Sequence, residues 1–366
     1  MPKSETLYLA EMILEDKTMH IFDHPLYQED IKRILQLPQM ERLYGKHVVI
    51  TGASGSIGSV LADALLSMDN PAHVYAIGRS ENRMHQRFLQ WAKSPYFHFI
   101  AGDLNAELPW NALPRRADYL VHAASNTHPV AYATDPIGTI ATNITATQKL
   151  LEYAAQSGAR FVFCSSVEIY GENRGDIERF LEKYCGYIDC NTLRAGYPES
   201  KRAGEALCQA YIRQKGVDAV IPRLARTYGP TLLQSDTKAL TQFIRNSVAG
   251  QNIVLKSKGT QQYSYTYVSD AVGGLLTCML RGGCGEAYNI ADAASDVTLH
   301  ALAEMLAEAA GTQVVYEIPD AVEQAGYSKA TKAMMDAEKI HGLGWKAHYT
   351  IHEGLNRTVR ILSELI

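Results

Sequence analysis

The strongest constraint on the fold is a glycine-rich turn that joins an apolar run to an amphipathic segment. Residues 47–50 predict a buried strand, residues 51–58 read Thr-Gly-Ala-Ser-Gly-Ser-Ile-Gly, and residues 59–66 have the apolar spacing of a helix. Glycines let the backbone approach a pyrophosphate, whose negative charge is favoured at a helix N-terminus. The turn therefore predicts a dinucleotide site that contains Gly52, Ser54, Gly55, Ser56, Ile57 and Gly58.

Strands and helices alternate after this turn. Helical patterns separate the apolar runs that predict strands, which lie at residues 47–50, 73–77, 97–101, 119–122, 161–165 and 219–222. Buried apolar strands that alternate with helices form parallel sheets with right-handed crossovers. The predicted fold class is therefore α/β, with a Rossmann-type doubly wound parallel sheet.

Two less regular regions flank the predicted Rossmann domain of residues 46–230. Residues 1–45 predict an N-terminal helical extension of one or two helices, broken at Pro25 and Pro38. Packing on its own domain is favoured for this extension; the alternatives are cover of a sheet edge and contact with a partner subunit. The apolar positions of the extension are Leu7, Leu9, Met12, Ile13, Ile31, Ile34 and Leu35. Residues 231–366 predict mostly a smaller substrate-binding lobe over the carboxyl ends of the strands, with helices at 237–249, 270–281 and 299–310 and a hairpin-like stretch at 253–268.

Composition excludes several classes of partner. The net charge of −4 gives no electrostatic basis for binding nucleic acid or an anionic membrane, and no run of about twenty apolar residues predicts a membrane span. The six cysteines include no C-x-x-C pair, so we expect neither a metal site nor a disulfide framework. These features predict a cytoplasmic protein.

The candidate chemistry lies between residues 165 and 201. Tyr197 and Lys201 are four residues apart, which places both on one face of a helix. An ammonium group that close favours the phenolate, so we expect the pKa of Tyr197 to fall from its usual value of about 10. The hydroxyl of Ser166 can hold a substrate oxygen beside that phenol. Together with the glycine turn, this set predicts a hydride-transfer site.

In these residues the chain resembles the extended short-chain dehydrogenase/reductase superfamily, also called the NAD-dependent epimerase/dehydratase family. The resemblance covers about residues 46–360 and rests on the glycine turn, Gly102-Asp103-Leu104, residues 121–125, Asp135-Pro136 with Asn143, residues 165–171, the Tyr197/Lys201 pair, Pro222-Arg223, Tyr228-Gly229-Pro230 and residues 267–270. Residues 182–187 and 193–202 look most like the UDP-glucuronate decarboxylases within it.

The resemblance implies a transient oxidation of a nucleotide-activated sugar to a 4-keto intermediate. Tyr197 would take the proton of the sugar hydroxyl, Lys201 would hold the nicotinamide ribose, and Ser166 would bind the sugar oxygen. It implies further cofactor-binding residues at Arg79, Asp103, Leu104, Ala123, Ala124, Ser125, Asn143, Ser165 and Arg223, besides Tyr197 and Lys201. The expected substrate-binding residues are Ser125, Ser166, Glu168 and Tyr263, together with Arg226, which stands where relatives carry an asparagine. A homodimer, formed through residues 139–155 and 200–214, is implied as well.

Departures from the family pattern bear on the second chemical step, the reaction that follows the oxidation to the 4-keto intermediate. Glu168 stands where dehydratases and decarboxylases keep a carboxylate, but Val167 replaces the aspartic acid with which 4,6-dehydratases protonate the leaving hydroxyl. A valine cannot act as a general acid. Decarboxylation or epimerisation is therefore favoured over dehydration, unless Glu199 or His128 supplies the proton. The alternatives are a 4,6-dehydratase, an NADPH-dependent carbonyl reductase and a non-catalytic dinucleotide-binding module.

The cofactor form and the substrate are less defined. Gly78-Arg79 follows the second strand, where an NAD enzyme usually has an acidic residue. Members of the family usually bind NAD tightly, so NAD is the expected cofactor. The missing acidic residue keeps NADP as an alternative. Tyr263 replaces an arginine that grips the nucleotide diphosphate in relatives, and Arg226 either supplies the missing guanidinium or pairs with a nearby carboxylate. The decarboxylases use a later arginine to bind the carboxylate of the sugar. In the corresponding region, residues 328–335, this chain has only Lys329 and Lys332, which weighs against glucuronate as the sugar of the substrate.

Overall fold

A computed structural model of the chain describes residues 19–127, 132, 134–233, 236–317 and 331–365. The predicted apolar positions Leu7, Leu9, Met12 and Ile13 lie outside the described residues, as do His128 and Lys329.

The core of the molecule is an eight-stranded sheet in which neighbouring strands run parallel. Seven strands follow the order β3-β2-β1-β4-β5-β7-β11, and β6 pairs with β7. The order reverses between β1 and β4, which opens a crevice at their carboxyl ends. The predicted Rossmann-type sheet is therefore confirmed. Its strands are β1 (His47–Thr51), β2 (His73–Gly78), β3 (Phe97–Ala101), β4 (Tyr119–His122), β5 (Arg160–Phe163), β6 (Ser165–Ser166), β7 (Ala219–Leu224) and, much later in the chain, β11 (Ala287–Ile290).

Helices cover both faces of this sheet. Most begin and end at residues suited to their positions: Asp135 accepts the N–H of Gly138 ahead of Pro136 at the start of one helix, and Gly158 ends the next in the left-handed conformation. The helices of this part are α1 (Pro25–Leu35), α2 (Ser56–Leu66), α3 (Glu81–Arg87), α4 (Pro136–Ala141), α5 (Thr147–Ser157) and α6 (Gly196–Lys215); a π-helical segment, Thr142–Ala146, joins α4 to α5.

A second sheet forms the lobe beside the carboxyl ends of the strands. Strand β10 (Gln262–Tyr267) pairs with β8 (Arg226–Tyr228), β12 (Asp296–Thr298) and β14 (Lys332–Ala333), while β9 (Ile253–Leu255) pairs with β13 (Val314–Tyr316). The predicted hairpin over residues 253–268 is therefore wrong, because β9 and β10 each pair with strands from elsewhere in the chain. The helices here are α7 (Ala239–Val248), α8 (Val268–Arg281), α9 (Leu299–Ala310), α10 (Glu338–His341) and α11 (Ile351–Glu364).

The two regions interlock. Helix α8 packs in the same apolar cluster as β1 and α2, and β11 completes the edge of the first sheet, although both follow residue 231. A separate cluster under the second sheet unites the aromatic residues Tyr228, Tyr263, Tyr265 and Tyr267. The domain limits at residues 45 and 230 stay a prediction.

The helix α1 is fastened to the rest of the molecule by two buried carboxylates. Pro25 opens it, as suits a first helical position, and Tyr27 donates to Asp63 of α2 at 2.6 Å. Asp30, which is 1% exposed, accepts from Tyr267 at 2.6 Å and from Arg357 of α11 at 2.8 Å. Through these contacts α1 packs on its own chain, and the predicted domain assignment of residues 1–45 stays a prediction. None of the described helices combines the length and the apolar character that a membrane crossing needs.

Candidate active site

The glycine turn has the close approach that a pyrophosphate site requires. Gly52 lies at φ +68°, and a Cβ added to it would stand 2.8 Å from the backbone nitrogen of Ala124. A Cβ on Gly58 would collide with the carbonyl oxygen of Gly52. Helix α2 begins directly after Gly55, which as N-cap has no side chain to satisfy the first amides. Those amides can therefore receive the negative charge of a dinucleotide.

Other predicted cofactor residues surround the crevice at the carboxyl ends of β1, β2 and β4. The backbone N–H of Ala124 donates to the Thr51 hydroxyl at 3.3 Å, which ties the chain after β4 to the turn after β1. The exposed Arg79 follows β2, and the half-buried Asp103 and buried Leu104 follow β3. Sequence reasoning placed all of these residues at the ends of strands, which is where the structure has them.

A chain of hydrogen bonds connects the predicted cofactor residues Ser125 and Asn143 to the helix that carries Tyr197. Ser125 donates to the Asn143 side chain at 2.9 Å, and the amide of Asn143 donates to Ser200 at 2.9 Å. Ser200 in turn donates to the backbone carbonyl of Tyr197 at 2.9 Å. Asn143 is fully buried in the π-helical segment, a distortion that often marks a functional site. These contacts fix the start of α6 against the crevice.

Ser166 contacts Tyr197, and Lys201 lies one turn further along the same helix, but the electrostatics differ from the prediction. Tyr197 is buried, and burial raises its pKa to about 12, while a hydrogen bond with Ser166 acts in the opposite direction. Lys201 directs its ammonium to the carbonyl oxygen of Cys164, at 2.8 Å. Burial lowers the pKa of Lys201 to about 8. The expected fall in the pKa of Tyr197 was wrong, because burial outweighs the hydrogen bond with Ser166 and the ammonium of Lys201 is directed to Cys164.

Glu168 lies in the same site and is held by two arginines. Its carboxylate is 2.8 Å from Arg194 and 3.7 Å from Arg226, and its side chain is 19% exposed. Burial alone raises the pKa of Glu168, but Arg194 and Arg226 outweigh that effect and the pKa is lowered. Val167 is buried in the apolar cluster of the second lobe. Glu168 is therefore ionised, and its neighbour has a packing role.

Arg226 shows one of the two alternatives that its sequence position suggested, the pair with a nearby carboxylate. It pairs with the carboxylate of Glu168, and its guanidinium carbon lies 3.8 Å from the ring centroid of Tyr263. The register of β8 against β10 places residue 226 beside Tyr265, two residues beyond Tyr263. The guanidinium of Arg226 thus lies over Tyr263, the position at which relatives carry an arginine. Its assignment to substrate phosphates stays a prediction.

Arg223 and Ser165 belong to a buried ionic network. Arg223 contacts Glu205 at 2.6 Å and donates to the hydroxyl of Tyr170 at 3.0 Å. Ser165 donates to the same glutamate at 2.5 Å. These partners give Arg223 and Ser165 a structural function between β7 and α6, and their predicted cofactor contacts stay predictions.

Three residues near the site carried no role in the sequence-based prediction. The guanidinium carbon of Arg194 lies 4.7 Å from the ring centroid of Tyr132, whose ring centroid is 5.1 Å from that of Tyr197. Thr231 donates to the backbone carbonyl of Ser56 at 3.0 Å and so links the glycine turn to the second lobe. Arg194 lies in the decarboxylase-like run, which was a usable signal. Nothing in the sequence around Tyr132 or Thr231 pointed to this site.

The arrangement suits proton and hydride transfer at a hydroxyl-bearing carbon. Within the part of the chain that the structure covers, no group of three or more His, Cys, Asp or Glu side chains could hold a metal ion. The parallel sheet, the glycine turn at its switch point and the Ser166–Tyr197–Lys201 set define an extended short-chain dehydrogenase/reductase.

Comparisons with known proteins give the family. Residues 48–291 match the NAD dependent epimerase/dehydratase family. UDP-glucuronic acid decarboxylase 3 of Arabidopsis thaliana is 31% identical over 318 residues, which cover 84% of this chain and 86% of that protein. UDP-glucuronic acid decarboxylase 1 of Xenopus tropicalis is 30% identical over 317 residues, covering 86% of this chain and 71% of that protein. The chain therefore belongs to the NAD-dependent epimerase/dehydratase family.

Solved structures agree with the fold. A UDP-glucuronic acid 4-epimerase from Bacillus cereus, in complex with UDP-glucuronic acid and NAD, superposes with a TM-score of 0.76 at 22% identity, over 87% of this chain and all of that one (100%). A dTDP-glucose 4,6-dehydratase from Streptomyces venezuelae with NAD bound gives a TM-score of 0.73 at 25% identity, over 86% of this chain and 96% of that one.

Proposed function

We propose that this protein modifies a nucleotide-activated sugar through a transient 4-keto intermediate, with decarboxylation or epimerisation as the second step. The observation that carries the proposal is the hydrogen bond between Ser166 and Tyr197, on the helix that also carries the buried Lys201, with the charge of the ionised Glu168 acting on the same tyrosine. The similarity to UDP-glucuronic acid decarboxylases makes a UDP-uronic acid the first substrate to test.

The residues of the crevice fit a nicotinamide dinucleotide. Side chains at positions 52 and 58 would fill the space that the backbone needs to approach a pyrophosphate, and both positions are glycine. Residues 55–57 would hold the pyrophosphate at the start of α2, and Lys201 would hold the nicotinamide ribose. When bound there, NAD or NADP would supply the acceptor for a hydride from the sugar carbon and the donor for its return after the second step.

Tyr197 acts on the proton of the sugar hydroxyl in this proposal. Without substrate, Ser166 contacts Tyr197 and favours the phenolate; with substrate bound, its hydroxyl would donate to the sugar oxygen instead. A tyrosine with a pKa of about 12 is almost entirely protonated near neutral pH, so nearby positive charge has to stabilise its phenolate. Lys201 has a pKa of about 8, so it is largely charged at neutral pH and can provide part of this positive charge.

The second step is limited by which residues can donate a proton. Dehydration needs an acid for the leaving hydroxyl; Val167 cannot serve, and Glu168 is held as a carboxylate by Arg194 and Arg226. Glu199, the alternative acid within the described residues, pairs with Arg202 at 3.3 Å. Loss of CO₂ needs no acid at the leaving group. These contacts support decarboxylation or epimerisation over dehydration.

The finer assignments belong to the same proposal. We assign a cytoplasmic location, supported by six cysteines that are all free. A homodimer through residues 139–155 and 200–214 is the assembly that the family resemblance suggests. Tightly bound NAD is the first expectation for the cofactor, and Arg79 in place of an acidic residue keeps NADP as the alternative; extraction of the purified protein followed by chromatography distinguishes them.

Mass spectrometry of the products tests the reaction. The purified protein is incubated with UDP-, dTDP-, GDP- and CDP-sugars, including UDP-glucuronic acid, without added cofactor. We expect a product that has lost CO₂ or an isomer of unchanged mass, which chromatography separates from the substrate. Loss of water would instead identify a 4,6-dehydratase.

A variant of the proposed base provides the control. We expect Tyr197→Phe to lower turnover by roughly 10²- to 10⁴-fold, the usual range for loss of a general base or acid. Net consumption of NADPH with a ketone substrate would support a carbonyl reductase. Absence of turnover throughout the panel, with NAD or NADP still bound, would contradict the proposal and support a non-catalytic dinucleotide-binding module.

A further inference from the structure

Glu168 is surrounded by more positive charge than a single ion pair provides. Arg194 contacts its Oε2 at 2.8 Å and Arg226 approaches its Oε1 at 3.7 Å, so each oxygen has its own guanidinium. The three side chains are only 19%, 19% and 23% exposed, and Lys238 adds a further favourable charge. An ion pair this far from solvent is screened weakly. Its strength therefore depends on the geometry of the closer arginine.

Arg194 is also connected to the ring of Tyr197. Its guanidinium packs on Tyr132, and Tyr132 packs on Tyr197 with ring centroids 5.1 Å apart and planes inclined by 33°. The short 3-10 turn Leu193–Ala195 leads directly into α6, so Arg194 stands three residues before Tyr197 on a continuous backbone. One side chain thus touches both the carboxylate and the aromatic stack.

The charges of Glu168 and Arg194 act on Tyr197 in opposite directions. Glu168 raises the pKa of Tyr197 and Arg194 lowers it. The phenol therefore faces two opposite charges, and removal of either one leaves the effect of the other unopposed. The titratable and charged groups that bear on Glu168 and Tyr197 are Arg194, Arg226, Lys238, Tyr132, Tyr263 and Cys164.

We propose that Arg194 is a positioning residue of this site, which keeps Glu168 ionised beside Tyr197 and braces the Tyr197 ring through Tyr132. This inference rests on the proposed function in one respect only, since it takes Tyr197 as the group that receives the substrate proton. Arg226 is the weaker partner of Glu168, because it is farther from the carboxylate and lies over Tyr263. Among the described residues, Arg194 joins the carboxylate to the tyrosine stack.

Carbon-13 NMR of labelled glutamate side chains tests the charge relation without any substrate. The Glu168 resonance is assigned with Glu168→Gln, and its titration is compared between wild type, Arg194→Gln and Arg194→Met. Loss of an adjacent opposite charge should raise the pKa of Glu168 by about 1 to 3 pH units. Arg194→Lys, which keeps a positive charge, should restore most of the low pKa. The methionine variant keeps an apolar stem against Tyr132 and replaces the glutamine variant if that one does not fold.

A matched control separates this effect from general loosening of the fold. Arg179 is a half-buried arginine whose guanidinium pairs with the buried Asp296 at 2.9 Å in the second lobe. Arg179→Gln should leave the titration of Glu168 unchanged. An equal pKa of Glu168 in wild type and in the neutral Arg194 variants would overturn the proposal, as would an equal rise in Arg179→Gln.

The pH dependence of sugar oxidation gives a second readout. The pH at which activity rises with deprotonation of Tyr197 should move upward in Arg194→Gln and downward in Glu168→Gln, with the double variant between them. Movement in the same direction in both single variants would contradict the proposal. A protein with no sugar turnover would refute the proposed function, while the NMR result would still decide the role of Arg194.

Discussion

Lys201 provides a test of the electrostatics at the site that needs no substrate. Its side chain is 2% exposed, and burial lowers its pKa from 10.5 to about 8. Between those two values the unfolded chain binds a proton that the folded chain does not. The free energy of unfolding therefore rises with pH across this window, because the penalty for burying the ammonium is progressively removed. Replacement by methionine abolishes this titration.

The magnitude follows from the size of the pKa change. One pH unit of difference between the folded and unfolded pKa corresponds to about 1.4 kcal/mol. From pH 7 to pH 9.5 the folded-state lysine passes from mostly charged to mostly neutral, while the unfolded-state lysine stays charged. Over this range the stability of the wild type relative to Lys201→Met should therefore increase by about 2 kcal/mol.

Urea denaturation of cofactor-free protein, followed by tryptophan fluorescence, measures this difference. Both proteins are unfolded at pH 7 and at pH 9.5, so that other titrating groups cancel in the comparison. Lys93→Met, at an exposed lysine, is the control and should give a difference that does not change with pH. A constant difference between wild type and Lys201→Met would refute the assignment of a buried, easily deprotonated lysine.

Two further predictions concern the crevice and the network behind it. Gly52→Ala should weaken NAD binding at least about tenfold by calorimetry, since the substitution combines a strained φ of +68° with a collision at Ala124. Gly216→Ala has the same φ of +68° but open space around its Cβ, so it should leave NAD affinity unchanged. Arg223→Met should lower the free energy of unfolding by about 3 to 5 kcal/mol, because it leaves the carboxylate of Glu205 buried without its partner. Unchanged stability with lost NAD binding would instead assign Arg223 to the cofactor.

The central sheet was predictable because its signals are local. Each strand is a short apolar run between helical patterns, and the turn at Gly52 follows the first strand directly. The hairpin prediction failed because the partners of β9 and β10 lie far along the chain, where short strands such as β13 carry weak patterns. Pairing of this kind depends on tertiary packing, which periodicity does not report.

The sequence predicted which residues belong to the candidate site better than it predicted their ion pairs and pKa values. Spacing and resemblance identified Tyr197, Lys201 and Glu168, since these residues sit in recognisable runs. The pairing of Glu168 with Arg194 joins residues 26 positions apart across an irregular insert, so no spacing rule reveals it. The raised pKa of Tyr197 depends on burial and on the direction of the Lys201 side chain, which are properties of the folded state.

The attachment of α1 has a consequence for biosynthesis. Asp30 leaves the ribosome early, yet its partners Tyr267 and Arg357 follow 237 and 327 residues later. At translation rates of about 5 to 20 residues per second, the arginine arrives roughly 15 to 65 s after the aspartate. During that interval α1 lacks the donors that make burial of its carboxylate favourable. Completion of the C-terminal helix is therefore the event that locks the first helix, and the nascent chain has to remain unaggregated until then.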